Sequence, residues 1–176
     1  ISFIKSSKIE FGIKDNDIST NLNPLYFDNS IFDIFANLFN GNTLCSFHRD
    51  ELINPNQLVK KLLRYRVSIW FSVPSLLVFF LKFKSINSKN FRHINKIIFG
   101  GEGFPKISLK KLFELTKKKS ELINVYGPTE CTCICSAYKI NKNDFKKSEM
   151  HRYAPLGKNL MKGFFHYIID ENNKKI

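Results

Sequence analysis

Leu122-Ile123-Asn124-Val125-Tyr126-Gly127-Pro128-Thr129-Glu130-Cys131-Thr132-Cys133-Ile134-Cys135 sets an apolar run, a Gly-Pro pair and an alternating run end to end. The Gly-Pro pair forces a turn between two strand-like segments, and open α/β sheets collect ligands in the loops beyond their strand ends. Thr129 offers a hydroxyl, with backbone N–H groups nearby, to a phosphate oxygen. Glu130 is a hard carboxylate of the kind that holds Mg²⁺ beside phosphates, and Tyr126 is a flat ring on which a base can stack. As a set these residues point to a nucleotide. Singly, they also fit a plain strand-turn-strand link with Tyr126 packed and Glu130 solvated.

The chain on either side alternates between strand and helix patterns. Ile1 to Ile18 carries apolar Phe3, Ile4, Ile9 and Phe11 without a start signal and reads as the end of something begun upstream. Leu22 to Phe27 reads as a short strand. Asp28, Asn29 and Ser30 then offer capping groups to a helix whose Ile31, Phe32, Ile34, Phe35, Leu38 and Phe39 form a wide apolar stripe ended by Gly41. Thr43 to Phe47 predicts a strand, and Asn54-Pro55 opens a helix with a cap and a first-turn proline, its inward face being Leu58, Val59, Leu62 and Leu63. Val67 to Val73 predicts a buried strand, Pro74 to about Phe83 an apolar helix, and Ile94 to Phe99 another strand. After the glycines of 100–103, Pro105 opens a helix with Ile107, Leu109, Leu112, Phe113 and Leu115 inward and lysines outward. Phe165 to Asp170 reads as a late strand ending in the turn Glu171-Asn172-Asn173. This alternation predicts an α/β fold, a mostly parallel sheet flanked by helices, in which the loops carrying Asp28, Gly100 to Gly103 and Tyr126 to Glu130 converge on one crevice.

The heptad Asn124 to Glu130, N-x-Y-G-P-T-E, resembles the adenine- and phosphate-binding motif of adenylate-forming enzymes. That family includes D-alanine–carrier protein ligases, the amino-acid-activating domains of nonribosomal peptide synthetases, and acyl-CoA synthetases. Three further stretches resemble its segments in the same order: Tyr26-Phe27-Asp28-Asn29-Ser30-Ile31-Phe32-Asp33-Ile34-Phe35 (F-D-x-S), Phe99-Gly100-Gly101-Glu102-Gly103-Phe104-Pro105 (G-G-E) and Pro155-Leu156-Gly157-Lys158 (P-I-G-K). The resemblance covers most of the chain. It implies that residues 1–176 are a single partial adenylation domain, the central part of the large N-terminal domain of such an enzyme. The family's phosphate loop would lie before Ile1, and its ribose-binding T-G-D, hinge and catalytic lysine after Ile176. A chain without those parts is not expected to adenylate by itself.

By the same resemblance, Thr129 and Glu130 are catalytic, Glu130 holds Mg²⁺, and ATP contacts Gly101, Glu102, Gly103, Asn124, Val125, Tyr126, Gly127 and Thr129. The backbone of 101–103 would run beside the adenine, where glycine permits close approach. Neither G-x-x-x-x-G-K-[ST] nor G-x-G-x-x-G is present, so no other phosphate-loop signature competes. The Asp of F-D-x-S binds the substrate α-amino group in amino-acid-activating members, so Asp28 implies an amino-acid substrate, although in isolation it also reads as a helix N-cap. The implied pocket walls are Asn29, Phe32, Phe71, Ile98, Gly100, Val125, Cys133 and Ile134, and their bulk implies a small cavity. The implied reaction is ATP-dependent formation of an aminoacyl-adenylate, followed by transfer to the phosphopantetheine thiol of an acyl or peptidyl carrier protein.

Composition narrows the alternatives. With 43% hydrophobic and 14% aromatic residues the chain has ample material for a core. A net charge of +13 would suit nucleic acid or an anionic membrane. Here the lysines are scattered through a chain rich in Asn, Ile and Phe, the residue set that AT-rich codons encode. Their densest runs, Lys110-Lys111 and Lys117-Lys118-Lys119, fall on or just past the polar side of a predicted helix. A basic nucleic-acid-binding module is therefore the alternative of another class, a homologue kept only for interaction a third, and an acyl- or aryl-CoA-type ligase the alternative within the family. Four cysteines without a C-x-x-C pair give neither a disulfide framework nor structural zinc. Cys131, Cys133 and Cys135 would share one face of a strand, as free thiols of a reducing cytoplasm. The most apolar stretch, Ile69 to Leu81, is too short to span a bilayer. Lys142 to Arg152 reads as a polar connection, with His151 on the surface.

Overall fold

The computed structural model describes residues 1–116, 119–157 and 161–176; Lys117, Lys118 and Lys158 of the stretches quoted above lie outside the described residues. The elements in chain order are α1 (Ser2–Glu10), β1 (Ile18–Asn21), α2 (Asn29–Ile31) continuing into a π-helical turn (Phe32–Ala36), β2 (Thr43–Ser46), α3 (Arg49–Leu52), α4 (Pro55–Arg64), β3 (Ile69–Ser72), α5 (Pro74–Lys82), β4 (Lys96–Gly100), α6 (Lys106–Thr116), β5 (Glu121–Tyr126) and β6 (Ser136–Lys139). The strands form one sheet in the order β2-β1-β3-β4-β5-β6. All neighbours are parallel except β5 and β6. Short apolar runs separated by helix-forming segments must pair this way, because a parallel partner needs a crossover and a helix supplies it. The order reverses beside β1, so the loop after β1, which carries Asp28, leaves the sheet at its switch point.

Both faces of the sheet are covered, and the period of two along each strand decides which side chain goes where. Trp70 of β3, Ile97 and Phe99 of β4 and Leu122 of β5 pack with Leu58 and Leu62 of α4, Leu77 and Phe80 of α5, and Leu109 and Leu112 of α6. Ile69 and Phe71, Ile98, and Ile123 and Val125 point the other way. They meet Phe3 of α1, Phe32 and Ala36 of the π turn, and Ile134 and Met161. Among the described residues no helix is long and apolar enough to cross a membrane.

Four local expectations are corrected. The first strand is Ile18–Asn21, not Leu22 to Phe27. From Leu22 onward the chain leaves the sheet, where Pro24 has no N–H to offer a ladder and Asn23 turns its side chain onto Phe71 O at 3.3 Å. The expected stripe after Asp28 is rotated: Asp33 and Asn37 are buried, whereas Phe35, Leu38 and Phe39 are exposed. The wider π turn shifts the register, and Asn37 Nδ2 fills it by donating to Phe32 O at 2.9 Å and Asp33 O at 3.1 Å. On α6, Ile107 and Leu115 are exposed, and Lys106 is buried instead, its Nζ 2.8 Å from Glu149 Oε2. Phe165 to Asp170 forms no strand. It makes only the bridge Ile169 to Lys175, because no third strand lies beside it to hold a ribbon together.

Asp33 is the most exposed consequence of that rotation in energetic terms, though the least exposed in space. Its Oδ2 accepts from the Asn23 N–H at 3.1 Å and from the amides of Asn23 at 3.0 Å and Asn21 at 3.3 Å, tying the π turn to the end of β1, while Oδ1 has no partner among the described residues. Burial outweighs these bonds and raises its pKa from 3.8 to about 7. A raised folded pKa means the folded chain holds the proton more tightly, so the stability it contributes is full below about pH 4 and lost as pH rises through about 7. Asp33→Asn should remove that loss, on the order of 4 kcal/mol at most. The urea midpoint of the variant is expected to stay level from pH 4 to 8 and to exceed that of the parent chain at pH 8.

Candidate functional site

Gly100 pairs with Val125 in the parallel ladder, so β4 and β5 release their following loops side by side at the same end of the sheet. Between the two loops lies a cavity of about 400 Å³ lined by Gly101, Glu102, Gly103, Asn124, Val125, Tyr126 and Gly127, all drawn from the sequence motifs, and by Phe104, Tyr153, Ala154 and Leu156. Gly101 has φ of +85°, which only glycine adopts at little cost. Tyr126 is 50% exposed at the last position of β5, presenting its ring to this space. The Glu102 carboxylate faces elsewhere: it accepts from Ser75 N–H at 3.1 Å and Ser75 Oγ at 3.2 Å. A carboxylate at the first turn of α5 is favoured by the helix dipole, and it ties the glycine loop to that helix. Asn124 Nδ2 donates to Pro155 O at 2.9 Å and draws the 152–156 strap over the site.

Beyond Pro128 the chain makes a 3₁₀ turn at Thr129–Cys131, and Thr132 and Cys133 follow with left-handed φ of 62° and 71°. The alternating cysteines are therefore not a strand. β6 begins only at Ser136, with Cys131 half-buried and Cys133 and Cys135 buried, all free. The tight return is held by Cys131 N–H on Pro128 O and Cys135 N–H on Tyr126 O, each at 2.9 Å. Thr129 and Glu130 sit exposed at the tip, outside the cavity lining. Among the described residues no group of three or more His, Cys, Asp or Glu could cage a metal. One exposed carboxylate instead fits a Mg²⁺ that keeps its waters and shares a nucleotide's phosphates.

On the far side of Val125, the residues expected to bind a substrate divide into a packed floor and a polar rim. Phe32, Phe71, Ile98, Val125, Cys133 and Ile134 belong to one buried cluster, with the Phe32 and Phe71 rings edge to face at 4.9 Å. Gly100 closes on Val125, since a Cβ there would stand 2.5 Å from its carbonyl oxygen. At the rim, Cys133 Sγ donates to Asn29 Oδ1 at 3.9 Å, and Asn29 Nδ2 lies 3.5 Å from where a Cβ of Gly101 would be. Asp28 occupies the N-cap of α2, yet its carboxylate makes no capping bond; Ser30 Oγ bonds back to Phe27 O at 2.7 Å instead. Burial first, and the Asp28 charge second, push the Cys133 thiol well above its ordinary range, so it stays neutral. The rim thus meets the cavity at Gly101, which lines the cavity and has Asn29 beside it. A broader depression of about 560 Å³ lies between residues 50–57 and Phe83 to Ser85, at the C-terminal end of α5 and away from these loops.

Sequence reasoning missed Tyr153 and Ala154, and quoted Phe104 and Leu156 without a role. Only a neighbouring motif flagged the strap, because nothing in its spacing says which loop it folds onto.

The family model of AMP-binding enzymes matches residues 1–176, and the chain belongs to that family. It is 29% identical over 142 residues to the D-alanine–D-alanyl carrier protein ligase of Bacillus cytotoxicus, covering 81% of this chain and 28% of that protein. To bacitracin synthase 1 of Bacillus licheniformis it is 32% identical over 144 residues, covering 82% of this chain and 3% of that protein. The crystal structure of IdnL1 superposes with a TM-score of 0.86 at 19% identity, covering 99% of this chain and 35% of the other. The Vibrio cholerae adenylation domain AlmE, in complex with glycyl-adenosine-5'-phosphate, superposes at 0.82 with 21% identity over 98% of this chain and 31% of the other. The two structures share the fold. The chain spans less than a third of the length of the curated relatives it matches.

Gly127 is where the geometry leaves least room. A Cβ there would collide with the Cys133 carbonyl oxygen and stand 2.7 Å from Ile134 Cα, both backbone groups that cannot swing aside. Gly127→Ala is expected to lower stability by about 1–3 kcal/mol, read as a reduced urea midpoint with an unchanged m-value.

Proposed function

We propose that residues 1–176 are the central part of an amino-acid adenylation domain, a single partial domain within the large N-terminal domain. The full-length protein activates a small amino acid with ATP in the cytoplasm and passes it to the phosphopantetheine thiol of an acyl or peptidyl carrier protein. The observation that carries this reading is that the 101–103 loop and the 124–127 turn line one cavity, and that Asn29 reaches both Gly101 of that lining and Cys133 of the apolar floor. The carrier-protein ligase among its relatives supports the acceptor.

Each residue then has a task that its position permits. The Tyr126 ring stacks on the adenine while the glycine backbone borders it. The Thr129 hydroxyl donates to the α-phosphate that the substrate carboxylate attacks as pyrophosphate leaves. Glu130 would hold Mg²⁺, which neutralises charge on the phosphate oxygens when bound. Asp28 pairs with the substrate ammonium, and the bulk of Phe32 and Phe71 in the closely packed floor favours a short substrate side chain.

Removing one partner of a desolvated charged pair costs about 2–5 kcal/mol, so in the full-length protein Asp28→Asn should lower amino-acid-dependent ATP–pyrophosphate exchange by on the order of 10²-fold. Matching acids without the amino group should lose far less, and wild type should prefer glycine- and alanine-sized substrates. Preference for an acid lacking an amino group would overturn the reading in favour of an acyl or aryl ligase. In the same assay Glu130→Gln should slow exchange strongly and leave the urea midpoint unchanged; normal exchange would make the turn structural.

A further inference from the structure

Tyr153 lies outside every motif that the proposed function uses, and the inference drawn from it rests on the nucleotide reading of the cavity. The strap bearing it is fixed like an added strand edge: Lys106 N–H donates to Arg152 O at 3.0 Å, Ala154 N–H donates to Phe104 O at 2.8 Å, and Pro105 bridges Tyr153 antiparallel. Side chains pin it on both flanks, through the buried Lys106 with Glu149 at 2.8 Å and Asn124 with Pro155 O at 2.9 Å. Held there, the Tyr153 ring lies flush on Gly103, where a Cβ would stand 2.8 Å from Cδ1 and 3.1 Å from Cε1. The glycine is thus the seat of the ring.

Although its backbone is fixed, the ring is 64% exposed, and it lines the same cavity as the half-exposed Tyr126. Two bare aromatic rings delivered to one cavity by separate loops suit a flat heteroaromatic occupant, whose faces every aromatic ring can stack upon. We infer that Tyr153 is a second base-stacking residue, so that the adenine of a bound nucleotide packs against both Tyr126 and Tyr153, with Gly103 required to seat the latter.

The test is titration of the full-length protein with adenosine 5'-monophosphate and, separately, with ribose 5-phosphate, which lacks the base. Tyr153→Ala is expected to weaken adenosine 5'-monophosphate binding about 10-fold, to leave ribose 5-phosphate unchanged, and to keep the melting temperature, since the ring is exposed. Tyr153→Phe should bind like wild type. Should Tyr153→Ala bind adenosine 5'-monophosphate normally while Tyr126→Ala does not, the inference fails and the nucleotide site stands. Equal loss of both ligands in Tyr153→Ala would also refute it, by showing a collapsed strap. If wild type binds adenosine 5'-monophosphate no better than ribose 5-phosphate, the cavity holds no base and both readings fall.

Discussion

The parallel pairing of β4 with β5 is the constraint on which the rest depends. Its register sets Lys96 against Glu121 at one end and Gly100 against Val125 at the other, so two loops distant in sequence start at one level. Close approach at the end of this ladder needs a residue without a Cβ at Gly100, because the Val125 carbonyl occupies that space. Shifted by one residue, the pairing would exchange the faces of Ile97, Ile98 and Phe99 and empty both cores at once. The cavity is thus a by-product of core packing: the side chains that hold the strands in register are the ones that hold the loops together.

Polar contacts then place the loops that packing alone leaves undetermined. Glu102 ties the glycine loop to the first turn of α5, and Asn124 ties the strap to β5. Buried Lys106 reaches Glu149. Only the lysine end is buried, Glu149 being 39% exposed, so the pair contributes little net stability and serves chiefly to give the buried Lys106 ammonium a partner that fixes the strap. Asp33 works similarly on the other side of the sheet, joining the π turn to the end of β1 at the expense of stability at neutral pH. Both cases put a charge where hydrophobic patterning expects none, and both lie next to the residues that shape the site.

The excess positive charge has no comparable organisation around the cavity. The lining is glycine backbone, amide and aromatic ring, with Glu102 committed to α5. A nucleotide would be met chiefly by stacking and hydrogen bonds at the base and by the exposed Thr129 and Glu130 tip at the phosphates, an arrangement set by geometry more than by net charge.

The sequence by itself determined the fold class and the two loops of the site. Short continuous apolar runs between amphipathic helices leave little besides a parallel sheet covered on both faces, and Gly-Gly-Glu-Gly and Tyr-Gly-Pro-Thr-Glu mark backbone turns through local conformational rules. It failed where a residue's surroundings come from far along the chain. Ile18 to Asn21 looks too polar for a strand until β2 and β3 flank it, and Cys131 to Cys135 alternates like a strand until Gly127 lets the chain fold back on Cys133. The π turn rotates Asp33 and Asn37 inward although the local pattern favours Phe35 and Leu38. Only the tertiary structure could place Tyr153 on Gly103 or bury Lys106, since each is decided by a partner more than 40 residues away, about which local periodicity carries no information.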